Sequence, residues 1–304
     1  MSDHPQFKAY AALAAVCFFW GTTYLGIRIA LESFAPVTLV GLRYLLSGLI
    51  MTAGARVVAT PLPRGKELLW TAVNGLIILG IGNSCLAFAE QWIPSGLSSL
   101  LVATSPFWMV SIEAMLPEGE RLRAPTIAAM LVGIAGVALL AAPDLRSSSP
   151  SGAKFMLGFA LLQIGVAGWS VGSMLQRHQR SQAHPFVSAA VQQLATGVAF
   201  AIPALLQPQH SQWNARGIGA MLYLAIFGGL IGYSAYVLMM DRLPVAIASV
   251  YTYINPMVAV LLGWALYHEH FGITEAIAMA TIFLGVALVR HAQRKVQARA
   301  ARAS

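Results

Sequence analysis

Charge is in short supply here: Asp, Glu, Lys and Arg make up 10% of the 304 residues, against about a quarter in an ordinary soluble domain. A water-soluble globule of this size needs far more polar surface than that, and 58% of the residues are hydrophobic. Cysteine is nearly absent as well. Cys17 and Cys85 both sit inside apolar runs, so a disulfide framework or a cysteine metal cluster is excluded. The net charge of +8 does not point to nucleic acid, because the position of charge decides what it means. No H-E-x-x-H string occurs; His268-Glu269-His270 spaces its histidines two apart. Nothing in the sequence calls for a metal or a cofactor.

What is present is long apolar stretches. Ten are near the roughly 20 residues that a spanning helix needs: about 9–31, 36–58, 68–89, 96–116, 124–142, 153–175, 185–206, 217–240, 246–266 and 271–289. They are continuous rather than alternating, which excludes barrel strands. The first is about 23 residues long, beyond a usual signal-peptide core. The chain therefore reads as an all-α membrane protein of ten transmembrane helices.

Lys and Arg set the orientation. Fourteen fall on the side of the two termini, including Arg56, Arg64, Lys66 and the tail from Arg290 to Arg302. Three, Arg146, Lys154 and Arg216, fall on the other side. This places both termini in the cytoplasm of a cell with the protein in its inner membrane. The tail at 291–304 is basic, a topology anchor with affinity for anionic lipid.

The halves repeat. Shifted by 149 or 150 residues, Trp20 falls on Trp169, Arg28 on Arg177, Pro36 on Pro185, Pro106 on Pro256 and Glu120 on Glu269. Gly82 falls on Gly232, and Gly136-Val-Ala-Leu139 on Gly285-Val-Ala-Leu288. With 15 prolines in the chain, one proline meets another by chance about one time in twenty. Five spans per unit is an odd number, so the second unit (153–290) enters the membrane upside down relative to the first (9–143). Inverted repeats are the usual architecture of secondary transporters, with the solute site near the midplane.

This duplicated set resembles the drug/metabolite transporter superfamily. The tryptophan of helix 1, the prolines of helices 4 and 9, and the glutamates each followed by a helix ending Gly-Val-Ala-Leu carry the likeness. Its ten-helix EamA-type branch includes exporters of amino acids, aromatic ones among them. The resemblance implies a secondary transporter exporting a small-molecule solute by alternating access. Ser170 departs from the pattern where a glycine would follow Trp169, and Arg43 has Gln192 at the equivalent position of the second half.

Pro106 and Pro256 lie at the centres of their spans, and each obstructs the hydrogen bond to the carbonyl four residues back, Val102 and Thr252. They are either packing kinks or a pair that bares backbone acceptors toward a central path. Around them the candidate solute contacts are Trp20, Asn83, Thr104, Trp108, Gln163, Trp169, Tyr233, Tyr251 and Asn255. For the amides the alternative is helix–helix hydrogen bonding, and for the tryptophans packing. Gly82 and Gly232 are candidate hinges or sites of close helix contact. Arg43 is the most intramembrane charge, with Glu90 as its expected partner. No carboxylate is expected at mid-membrane, which suits a neutral or zwitterionic solute better than a cation. A multidrug or lipophilic-cation exporter is the alternative within the class; an intramembrane enzyme or a non-transporting scaffold is the alternative outside it.

Overall fold

The computed structural model describes residues 5–57, 60–116, 122–145, 150–178, 183–206, 212–243, 247 and 250–303. Helix is the only regular structure among them. The order is α1 (Pro5–Leu31), α2 (Pro36–Val57), α3 (Gly65–Ala89), α4 (Ser95–Met115), α5 (Ala124–Leu145), α6 (Pro150–His178) and α7 (Pro185–Leu206). There follow α8, made of Ala215–Tyr223, Leu224–Gly232 and Tyr233–Arg242 in series, then α9 (Tyr251–Tyr267) and α10 (Ile273–Ala303).

Nine of these helices are long and apolar enough to cross a membrane; α9 is the tenth, with 17 described residues. Lipid offers no hydrogen-bond partner to backbone groups, so a continuous apolar run has little choice but to be helical. The basic stretch from 291 is helical, continuous with α10 as far as Ala303.

Packing partners exchange when each helix is replaced by the one five places on. The α2/α7 and α5/α10 pairs each join a helix to its own counterpart, α1 packs on α8 as α6 packs on α3, and α4 meets α9. Small residues allow the closest of these approaches. A methyl group on Gly48 would come within 2.7 Å of the Leu194 nitrogen, and one on Gly285 within 2.5 Å of Gly133.

Three helices depart from regular α geometry. Leu76–Asn83 in α3 and Leu224–Gly232 in α8 are π-helical, at matching places in the two units. Such wide turns are rare, and they often mark functional sites. In α4 the helix breaks at Ala103–Thr104 and restarts at Ser105, with Pro106 in the first turn of the new segment.

The expected bared acceptor at Val102 is not formed. The Ser105 hydroxyl donates to that carbonyl at 2.5 Å, so the proline's missing donor is replaced within one turn. Pro256, by contrast, lies inside the continuous α9.

Candidate functional site

The two wide turns, the α4 break and the Pro256 turn border one cavity of about 160 Å³. Space of that order seats a ring-sized group. Every helix except α5 and α10 contributes to its wall.

An aromatic cluster forms one side. The Trp20 ring stacks on Tyr236 at 5.0 Å, meets Tyr251 edge-on at 5.6 Å and Trp169 edge-on at 6.0 Å. Tyr233 lies 6.5 Å away, and its hydroxyl donates to Gln192. The indole nitrogen of Trp20 donates to the Gly228 carbonyl at 3.1 Å, inside the wide turn of α8. On the facing side, Gly82 packs where a methyl group would lie 3.0 Å from the Trp169 nitrogen. The repeat-related tryptophans thus stand against each other, each beside a glycine of the other unit's distorted helix.

Of the residues singled out from sequence, Trp20, Asn83, Trp169, Tyr233, Tyr251 and Asn255 line the cavity. So do Arg43, Gly82, Pro106 and Pro256. Asn83 is half-buried and makes no side-chain hydrogen bond among the described residues. Asn255 is partly committed to structure: with its amide turned so that the nitrogen meets acceptors, it donates to the Cys17 carbonyl of α1 at 3.0 Å and to the Tyr251 carbonyl at 3.1 Å.

Four of the expected residues lie elsewhere. Thr104 is buried, with its hydroxyl donating to the Leu101 carbonyl of its own helix. Trp108 donates to Gln163 at 3.0 Å, a bond between α4 and α6 outside the cavity wall. Gly232 sits behind the wall, where a methyl group would meet Trp20 at 2.6 Å.

The structure also adds wall residues that were not proposed. Gln193 accepts from Ser47 and donates to the Met51 sulfur at 2.9 Å. Thr23, Tyr24 and Tyr44 complete the floor around Arg43.

The expected Arg43–Glu90 pair is not formed. Arg43 makes no ion pair among the described residues, and its guanidinium lies over the Tyr44 ring at 4.9 Å. Glu90, at the end of the third span, is fully buried one residue past α3. Its backbone carbonyl accepts from Arg28 at 2.6 Å, while neither carboxyl oxygen has a hydrogen-bond partner. Burial pushes this carboxyl well above the usual carboxylate range; the Glu269 charge adds to the rise, and Arg28 and Arg43 oppose it.

Glu269 does the work of a cap. Its carboxylate accepts from the Ser95 nitrogen and hydroxyl, both at 2.8 Å, and from the Gly96 nitrogen at 2.9 Å. A residue of the second unit thereby satisfies the exposed donors at the start of α4. Its repeat mate Glu120 lies outside the described residues.

The fold is thus an all-helical membrane bundle enclosing a mostly apolar cavity. The sequence matches the EamA-like transporter family twice, over residues 7–142 and 156–290, and the chain belongs to that family of membrane transporters. It is 32% identical to the uncharacterized inner membrane transporter YedA of Escherichia coli (strain K12), over 92% of this chain and 90% of that protein. It is 25% identical to a probable terminal-alkyne amino-acid exporter of Streptantibioticus cattleyicolor, over 98% and 97% of the two chains. A solved crystal structure shares the fold with a TM-score of 0.67 and 23% identity, covering 95% of this chain and 98% of that one.

Proposed function

We propose that the protein moves amino-acid-type solutes across the inner membrane by alternating access, the two five-helix units rocking as inverted repeats about the shared cavity. The observation that carries this reading is the composition of the cavity wall. It offers aromatic faces, one uncommitted amide at Asn83 and one cation at Arg43, with no Asp or Glu among its described residues. Such a wall suits a small solute with an apolar side chain. A lipophilic cation would lack a counter-charge there and meet Arg43 instead. The inner-membrane location and the outward direction are supported by the names of YedA and of the amino-acid exporter.

The test is counterflow in proteoliposomes with a panel of labelled amino acids and labelled tetraphenylphosphonium. Exchange of aromatic or aliphatic amino acids, and none of the phosphonium, is the expected result. Phosphonium transport without amino-acid transport overturns the proposal in favour of a multidrug exporter.

A further inference from the structure

Arg43 is a cation that no described carboxylate contacts: its guanidinium lies over the Tyr44 ring, and Glu90 acts on it without forming an ion pair. It is 6% exposed, it lines the cavity, and no hydrogen bond or ion pair is made by its guanidinium among the described residues. Its Nε is buried without a partner. An arginine stays protonated at any pH a protein survives, so titration cannot relieve the cost. In a low-dielectric site such a group is retained where something charged meets it.

The scaffold does not require a cation at this place. The repeat counterpart, Gln192, is a neutral amide that accepts from Tyr233 at 3.0 Å and donates to Gln176 at 3.3 Å. One unit thus fills the position with a hydrogen-bonded amide, the other with a cation that makes no hydrogen bond among the described residues.

The guanidinium is also next to the aromatic cluster. A methyl group on Gly228 would lie 3.3 Å from Arg43 Nη2 and 2.8 Å from Thr23 Cγ2. The carbonyl of that same glycine holds the Trp20 indole. Gly228 thus touches both groups, which puts the cation beside the aromatic faces in the same cavity wall.

We infer that Arg43 anchors the carboxylate of the solute while Trp20, Tyr236 and Tyr251 seat its side chain, so that the transported class is small monocarboxylates with an aromatic or aliphatic side chain. This rests on the amino-acid reading above and narrows it. The carboxylate is essential; the ammonium group is not, because no acidic side chain lines the cavity among the described residues. A planar guanidinium holds a carboxylate through two parallel hydrogen bonds, which fixes its orientation as well as its affinity.

The test is binding of four probes to the purified full-length protein by isothermal titration: phenylalanine, 3-phenylpropionate, phenylalaninamide and phenethylamine, with a parallel series built on leucine. In the wild-type protein the two carboxylates of a series should bind roughly ten- to a hundredfold more tightly than the amide and the amine. Arg43→Gln should flatten that preference, and Arg43→Lys should retain part of it. The wild-type series stands even if a variant fails to fold. Amide and amine binding as tight as the carboxylates, or a preference unchanged in Arg43→Gln, overturns the anchor alone. No binding by any probe contradicts the amino-acid reading itself and removes the anchor with it.

Discussion

The indole nitrogen of Trp20 donates to the carbonyl of Gly228, 3.1 Å away and 208 residues later in the chain. The bond joins α1 of the first unit to the widened turn of α8 in the second, and it fixes the plane on which Tyr236 stacks. Trp20→Phe keeps a ring but removes the donor, which should cost about 1 kcal/mol of stability through the orphaned carbonyl. Trp20→Ala also removes the ring packing and should cost about 3 kcal/mol. Solute binding should weaken in both, more in the alanine variant. Equal binding in all three proteins would show that the ring is packing only.

The Glu269 cap links the α9–α10 connection to the start of α4. Glu269→Ala leaves two backbone donors and one hydroxyl without their acceptor, and should lower stability by about 2 kcal/mol. Glu269→Gln keeps one acceptor and should lose less. Thermal unfolding in detergent measures both; an alanine variant as stable as wild type contradicts the capping role.

For Glu90 the sign follows from its raised folded-state pKa. Between the usual carboxylate range and that higher value, the folded protein holds a proton that the unfolded chain has released. Stability therefore falls as pH rises through this window. Glu90→Gln mimics the neutral form and should flatten the dependence above the usual carboxylate range. The check is a series of melting temperatures across that window, and parallel curves for the two proteins would place the neutral form elsewhere.

Orientation is tested with single cysteines in a Cys17→Ser, Cys85→Ser background. Lys154→Cys should react with an impermeant maleimide from outside intact cells, while Lys66→Cys should react only after the membrane is opened. Both residues stand in the first turns of their helices and are not covered by protein. The reverse pattern would invert the topology drawn from the lysine and arginine bias.

Helix number and much of the cavity were legible because their causes are local. Apolar runs in lipid must satisfy their own backbone, and the repeated Trp20/Trp169 and Pro106/Pro256 pairs marked positions shared by both units. Facing was not legible. These helices are apolar on nearly all sides, so periodicity does not distinguish a cavity side chain such as Gln193 from one between helices such as Gln163. Thr104 misled because a threonine hydroxyl readily bonds a carbonyl of the preceding turn. The Arg43–Glu90 pairing misled because sequence gives the depth of a residue and not the direction its side chain takes. The glycine clusters hinted at both wide turns, but composition alone does not separate a π turn from close packing.

Alternating access through this cavity is tested most directly by the accessibility of one wall residue from the two sides of the membrane. Asn83→Cys, in the same cysteine-free background and in oriented proteoliposomes, places a thiol at a half-buried wall position that makes no hydrogen bond among the described residues. Impermeant maleimide should reach it from the inside and, in separate experiments, from the outside, with saturating solute shifting the ratio of the two rates. Labelling confined to one side under every condition, or from neither side, would contradict transport by this route.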